Sequence, residues 1–256
     1  RFPALDPSRR PREWSSTRQI VAVEDLPGVD YLIIPMMTKT SVLSLGISHT
    51  TSPCKIALIE SSLTGNAPPR VINKAEFTST FISYRGLGLK CIRGVCRTDD
   101  EVFVATSEKG IVRLPIDGSP ATWITTESGL LSDYTHGIAM LNGRLIVASG
   151  DLGSDGYVLG KEMYLQSLNL EDGTHEVIVS TRRKDRQSPF DDGPLFEVNS
   201  LTPDPERDRL LMMIQVQHRP GKSGIDSNTG LWEYSPKTGF RQLAHGFMHF
   251  RDGFAD

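Results

Sequence analysis

The chain has 256 residues, of which 38% are hydrophobic and 23% are charged, and its formal net charge is −3. This composition is typical of a folded globular protein, and the charge gives no overall attraction to nucleic acid or to an anionic membrane. No apolar run approaches the roughly 20 residues that a membrane-spanning helix needs. We therefore expect neither a nucleic-acid partner nor a membrane-spanning segment.

The N-terminal residues 1–18 are rich in Pro and Arg and are predicted to form an extended arm or linker. The sequence starts at Arg1 without a secretory leader, which suggests an excised or processed segment. Its three cysteines, Cys54, Cys91 and Cys96, do not make a disulfide framework. We predict that all three are small buried hydrophobic residues.

Short strand-like runs dominate the remainder of the chain, separated by Gly, Pro, Asn and Asp, and helical periodicity is nearly absent. Four apolar runs are predicted to be the second strand of a repeated unit: 31–36, 101–106, 144–149 and 209–214. A weaker predicted strand precedes each of them, at 20–23, 92–96, 134–141 and 196–201. In three of the units, two further strands follow, within 110–125, 163–179 and 230–243.

Four antiparallel strands in roughly 40 to 50 residues are the signature of a β-propeller blade. Stacking blades around an axis buries both faces of each sheet, whereas a β-sandwich gives no reason for the unit to recur. We therefore predict an all-β β-propeller of four-stranded antiparallel blades, about four of them recognisable, as part of a larger propeller. The predicted propeller region is 19–256, with blades at 19–61, 75–126, 134–180 and 195–245.

One stretch carries a family resemblance. Glu101-Val-Phe-Val-Ala-Thr-Ser-Glu-Lys-Gly-Ile-Val-Arg-Leu114, followed by Glu127-Ser-Gly-Leu-Leu-Ser-Asp-Tyr134, resembles the repeat of two-component-regulator sensor propellers. In that repeat a strand ending in Gly/Ala-Thr leads to a Gly-Leu-type strand, and a Gly-Leu-Ser-Asn-type linker enters the next blade. The family often has Trp where this chain has Phe103 and Ile146. The resemblance implies an extracytoplasmic (periplasmic or secreted) sensor or interaction domain, and it brings no catalytic residues.

Three long insertions on neighbouring blades are predicted at 150–162, 181–194 and 217–228. In a propeller, the loop from the second to the third strand and the linker between blades emerge on the same face. We therefore expect a protein, small-molecule or carbohydrate ligand at this rim. The candidate ligand-binding residues are Arg182, Arg183, Arg186, Asp191, Asp192 and Lys222. The alternative is a solvated loop of mixed charge.

The first insertion has most of the spacing of a calcium-binding EF-hand loop, in Asp151, Asp155 and Glu162. Gly153 occupies the third position, which needs an oxygen ligand, and the flanking residues are predicted strands instead of helices. Ca²⁺ tolerates irregular cages of six to eight oxygens, so these carboxylates remain candidate metal ligands. The alternative is a glycine-rich turn whose acidic residues are solvated.

A propeller enzyme is the second functional hypothesis: a lyase, or a hydrolase such as a lactonase, acting on a sugar-type substrate with or without calcium. His218 or His136 would serve as the base, and Arg219 would neutralise a substrate carboxylate. No catalytic motif in the sequence supports this chemistry. The leading hypothesis is therefore a binding or sensor-type module.

Overall fold

The protein is represented by a computed structural model, which describes residues 31–38, 40–48, 53–64, 67–78, 92–152, 159–180, 195–217 and 230–245. Within these residues, the chain forms four antiparallel sheets of four strands each, together with two short 3-10 turns. In every sheet the strands pair in the order in which they follow along the chain. The arm predicted at 1–18 lies outside the described residues.

The four sheets have the following strands. The first contains β1 (Tyr31–Met37), β2 (Ser41–Ser48), β3 (Cys54–Ser62) and β4 (Arg70–Phe77). The second contains β5 (Ile92–Arg97), β6 (Glu101–Thr106), β7 (Ile111–Pro115) and β8 (Thr122–Ile124). The third contains β9 (Thr135–Leu141), β10 (Arg144–Leu152), β11 (Leu159–Asn169) and β12 (His175–Ser180). The fourth contains β13 (Leu195–Asp204), β14 (Arg209–Gln217), β15 (Gly230–Ser235) and β16 (Gly239–His245).

The central strands β6 and β10 carry continuous runs of buried apolar side chains, so both of their faces fill the space between successive sheets. Leu45 of the first sheet and Val104 of the second belong to one buried cluster, and Phe103 and Val147 join the second sheet to the third. A further cluster, which includes Trp232, joins the third sheet to the fourth. Each sheet therefore packs as a blade on the next, and the predicted β-propeller architecture of four-stranded blades is confirmed.

The first blade differs from the prediction in its strand assignment. The run at 31–36 was predicted to be a second strand, but β1 is the first strand of its sheet and pairs with β2. The pairing register shifts between Ile33 and Met36, around Pro35. Proline has no N–H for a sheet ladder and is found at edge strands or bulges, so Pro35 fits the first position better than the second. The strand predicted at 20–23 lies outside the described residues.

The first strands of the last three blades lie side by side. An added Cβ atom on Gly94 of β5 would lie 3.1 Å from the Ile138 nitrogen and 3.3 Å from the Gly137 Cα of β9. A Cβ on Gly137 would in turn lie 3.9 Å from the Val198 carbonyl oxygen of β13. These neighbours occupy corresponding positions, so β5, β9 and β13 run in the same direction.

This arrangement gives the propeller two different faces. On the linker face, the first and third strands of each blade begin and the second and fourth strands end. This face includes residues 106–110, the linker 125–134, and Gly150. The turn face carries the opposite strand ends, including the tight turns at 98–100, 142–143 and 205–208.

Candidate functional site

The linker between the second and third blades is folded by its own polar residues. A single 3-10 turn, Thr126–Ser128, ends at Gly129, which adopts a left-handed φ of 102°. The Asp133 carboxylate accepts a hydrogen bond of 2.7 Å from the Thr126 N–H. The Asp133 carbonyl accepts another, also of 2.7 Å, from the N–H of Gly110. The Gly-Leu-Leu-Ser-Asp motif at 129–133 therefore has a structural role, because it closes the linker on itself and on the second blade.

Gln166 of β11 anchors the same linker to the third blade. Its side chain is fully buried; the amide Nε2 donates to the Gly129 carbonyl at 3.0 Å, and Oε1 accepts from the Leu131 N–H at 2.8 Å. Both polar ends of the amide are thus satisfied, as a buried polar group requires. The linker is held from both sides, so it provides a fixed border for the inner part of the linker face.

Four buried side-chain nitrogen and oxygen atoms of the described residues have no hydrogen-bond partner, and three of them lie on the linker face. These three are Ser107 Oγ, His136 Nε2 and Ser149 Oγ; the fourth, Arg113 Nε, belongs to a guanidinium whose Nη2 binds Glu101. His136 is 6% exposed, and the two serines are buried even more deeply. A buried polar group without a partner costs about 1–3 kcal/mol, and such groups are rare in folded proteins. Their concentration at one place marks it as the candidate site.

The three atoms come together because of how the strand ends meet around Thr135. Ser149, at the end of β10, is the register partner of Thr135 in β9, and His136 follows Thr135 directly. The Thr135 hydroxyl donates to the carbonyl of Thr106 at 2.6 Å, and Ser107 is the next residue after Thr106. The candidate site is therefore defined by Ser107, His136 and Ser149, where the second and third blades adjoin.

The imidazole of His136 is held in one protonation state. Burial, together with the positive charge of nearby Arg93, lowers the pKa of His136 to about 4, opposed by a hydrogen bond to the Gly150 main chain. Nε2 is buried without a partner. At neutral pH the imidazole is therefore uncharged, and one of its ring nitrogens is unsatisfied.

The predicted calcium residues lie on a hairpin that is longer than the sequence suggested. β10 extends to Leu152 and β11 begins at Leu159, with Gly150 paired to Met163, so only residues 153–158 separate the two strands. The backbone places Asp151 on β10 and Glu162 on β11. Asp155, and the side chains of Asp151 and Glu162, lie outside the described part of the chain.

The remaining predicted site residues lie outside the described ranges: Arg182, Arg183, Arg186, Asp191, Asp192, His218, Arg219 and Lys222. The strand ends that flank their segments are described. Residues 181–194 connect β12 to β13, and residues 218–229 connect β14 to β15. The alternation of strands puts all four of these ends on the linker face. Of the sequence-predicted residues, His136 is the one whose side chain is described.

Two properties of the described residues bear on metal and membrane chemistry. Among the described ranges, no group of three His, Cys, Asp or Glu side chains is arranged to hold a metal ion. Burial raises the pKa of the Cys96 thiol to about 12, so this thiol is unreactive, and Cys54 is buried in the core. Cys91 lies outside the described residues. No helix in the described part of the chain has the length and apolarity needed to cross a membrane.

The sequence analysis did not identify Arg93, Ser107 or Ser149. One signal was available: Arg93-Gly94-Val95 and His136-Gly137-Ile138 both place a basic residue and a glycine at the start of a first strand. The buried serines had no such signal, since a hydroxyl at the end of a strand is normally solvated or hydrogen-bonded.

No family model matches the sequence, and no curated protein matches it significantly. The solved structures that are similar to this chain in fold include three at 10–14% identity. One is an oligogalacturonate lyase in complex with manganese, with a TM-score of 0.49 at 10% identity; the match covers 80% of this chain and 50% of the lyase chain.

The second is the GH74 enzyme of Niastella koreensis, with a TM-score of 0.46 at 14% identity, covering 84% of this chain and 30% of its own. The third is the N-terminal domain of Nup159, with a TM-score of 0.43 at 11% identity, covering 86% of this chain and 44% of its own. This chain therefore matches half or less of the length of each of these structures.

Proposed function

We propose that this chain is a binding module that recognises a small ligand or a protein partner on its linker face. The observation that carries the proposal is the group of three unpartnered buried atoms, Ser107 Oγ, His136 Nε2 and Ser149 Oγ. A binding site often leaves polar groups unsatisfied until its ligand supplies the missing partners.

Two further observations support the same face. The strand ends that flank residues 153–158, 181–194 and 218–229 belong to it, so three connections of adjacent blades start and finish there. The linker 125–134 is fixed by Asp133 and Gln166, which gives the face a rigid frame. Loops on a rigid scaffold are the usual place for recognition. The resemblance of 101–134 to sensor propellers is in accord with a sensing role outside the cytoplasm.

A fragment screen tests this proposal without knowledge of the natural ligand. Small polar and apolar fragments would be titrated into ¹⁵N-labelled protein, and the amide shifts of Gly110 and Gly150 compared with those of Gly143 and Asp208. Binding sites attract fragments of diverse chemistry, so we expect shifts to concentrate on the linker-face amides. Shifts that concentrate on the turn face, or that are spread over both faces without preference, would reject the proposal.

An enzyme acting on a sugar or a lactone is the second candidate function. The imidazole of His136 favours it, because it is uncharged at neutral pH and its Nε2 has no partner, and a general base must be deprotonated. The test is turnover of D-glucono-1,5-lactone by the wild type and by His136→Asn. Activity that falls on acidification towards pH 4 and disappears in the variant is expected of this candidate; absence of turnover would remove it for lactones.

Calcium at Asp151, Asp155 and Glu162 remains a proposal for either function. The hairpin formed by β10 and β11 puts Asp151 and Glu162 on neighbouring strands. We expect millimolar Ca²⁺ to raise the melting temperature of the wild type and to leave Asp155→Ala unchanged. Identical melting curves with and without Ca²⁺ would eliminate the metal site.

A further inference from the structure

The first strands of three successive blades each carry a β-bulge. In β5 the pairing with β6 skips Arg93, in β9 the pairing with β10 skips His136, and in β13 the pairing with β14 skips Asn199. In β5 and β9 the extra residue is the second of the strand and is followed by a glycine. Bulges re-aim side chains and are common next to functional sites. Arg93 and His136 are therefore equivalent residues of neighbouring blades.

The two glycines bring Arg93 and His136 close to each other. Gly94 packs against the backbone of Gly137 so tightly that an added Cβ would lie 3.3 Å from the Gly137 Cα. The residues that precede these glycines are thus adjacent across the junction of the blades. The positive charge of Arg93 acts on the imidazole of His136, which agrees with this adjacency.

Arg93 has no counterion within the described part of the chain. It is half-buried, and it forms no hydrogen bond or ion pair with a described residue. Arg113 and Arg209, which are also half-buried, are paired with carboxylates; Arg113 binds both oxygens of Glu101 at 2.8 Å. A half-buried guanidinium without a partner among the described residues is suited to bind an anion, most of all a planar carboxylate.

His136 and the serines restrict which anion fits. The imidazole of His136 is uncharged, so it adds no second positive charge, and its Nε2 lacks one hydrogen-bond partner. A hydroxyl near the carboxylate can supply that partner, because a hydroxyl both donates and accepts. The hydroxyls of Ser107 and Ser149 can each donate or accept, and both lack partners as well. The site therefore combines one cation, one neutral imidazole and two hydroxyls.

We infer that Arg93 and His136 form a subsite for a small hydroxy acid, in which Arg93 binds the carboxylate and Nε2 of His136 forms a hydrogen bond with a neighbouring hydroxyl. This inference rests on the proposed binding role of the linker face and names its ligand class. Sugar acids are one group of hydroxy acids with a hydroxyl next to the carboxylate. Ser107 and Ser149 bind the remaining polar atoms of the ligand.

Three probes separate the two halves of the recognition. D-glucuronate carries both the carboxylate and the hydroxyls, its methyl ester lacks the charge, and acetate lacks the hydroxyls. Their dissociation constants would be measured by NMR titration at constant ionic strength. We expect D-glucuronate to bind roughly tenfold or more tightly than either of the other two, because each lacks one charge-assisted or buried hydrogen bond. Equal affinity for the three probes would overturn the inference.

The protein variants provide the matching evidence. Arg93→Gln should weaken D-glucuronate binding roughly tenfold or more and leave the methyl ester unaffected. Arg97→Gln, at the exposed far end of the same strand, is the matched control and should bind like the wild type. His136→Asn keeps a neutral polar side chain but removes Nε2, so it should weaken D-glucuronate binding without unfolding the protein.

Failure of this inference is distinguishable from failure of the proposed function. If fragments bind on the linker face but D-glucuronate binds equally to Arg93→Gln and Arg97→Gln, the proposed binding face is supported and the hydroxy-acid subsite is rejected. If D-glucuronate does not bind at all, the subsite also falls. If fragments avoid the linker face, both proposals fall together.

Discussion

The two faces of the propeller differ in how their buried polar groups are satisfied. On the turn face, the Glu233 carboxylate binds Arg209 at 2.7 Å and Arg241 at 2.6 Å, and these hydrogen bonds hold its pKa below the usual range. The side chains of Asn142 and Asp208 join the third blade to the fourth. On the linker face, the atoms Ser107 Oγ, His136 Nε2 and Ser149 Oγ have no partner, whereas the one other such atom of the described residues, Arg113 Nε, belongs to a guanidinium that binds Glu101. Selection for stability alone would not maintain this difference, which points to function on one face and to structural support on the other.

The largest expected effect concerns the unpaired histidine. The pKa of His136 is about 4 in the folded protein, against roughly 6.5 in the unfolded chain, so the unfolded chain takes up a proton first as the pH falls. We expect this residue to remove about 3 kcal/mol of stability as the pH falls from 6.5 to 4. Urea unfolding of the wild type and His136→Asn at pH 7, 5.5 and 4 measures it. If both proteins lose the same stability, the imidazole is not held neutral.

A smaller effect is expected on the turn face, at the junction of the first and second blades. The buried Asn73 of β4 donates through Nδ2 to the carbonyls of Pro115, at 3.0 Å, and Ser119, at 2.7 Å. Asn73→Ala leaves both carbonyls without this donor, and we expect a loss of about 2 kcal/mol in the free energy of unfolding. Lys74→Ala, at the exposed neighbouring position, is the control. A loss under about 0.5 kcal/mol for Asn73→Ala would show that the apolar core alone joins these blades.

The smallest effect has the opposite sign. Ser149→Ala removes a buried hydroxyl that has no partner, and we expect a gain of about 1 kcal/mol in stability. Ser41 is the matched control, because its buried hydroxyl forms a 2.8 Å hydrogen bond with the Thr38 hydroxyl. Ser41→Ala should therefore lose stability. A loss on Ser149→Ala, measured by thermal melting, would mean that this hydroxyl has a stabilising partner after all.

The architecture was predictable because its causes are local. Apolar runs separated by turn residues recur in each blade, and the motif at 129–133 was predicted to be the linker into the next blade. The residues of this motif have defined roles in the structure: Gly129 adopts a left-handed conformation, and the Asp133 carboxylate accepts a hydrogen bond from the N–H of Thr126. The strand order of the first blade was predicted wrongly because the apolar run at 31–36 does not distinguish a first strand from a second. Pro35 does distinguish them, since proline favours an edge strand.

The candidate site was less predictable because it depends on contacts distant in the sequence. Gln166 lies 35 positions from Leu131, and in the alternation of β11 it reads as a solvated side chain, although it is fully buried on the linker. Arg93 and His136 become neighbours only through bulges, which shift the register by one residue and leave no clear trace in composition. The apolar pattern therefore predicts the blades, whereas the proximity of Arg93 to His136 depends on the three-dimensional packing of two blades.

The stacking of the blades has a consequence for how the molecule unfolds. Three apolar clusters join the four sheets in succession, and within the described residues no fourth cluster joins the last sheet to the first. Among the described residues, cooperativity then passes from neighbour to neighbour, as in a linear array, and each outermost sheet packs on one neighbour. Hydrogen exchange should accordingly be fastest in the outermost sheets and slowest in the central pair, whose junction bears Arg93 and His136.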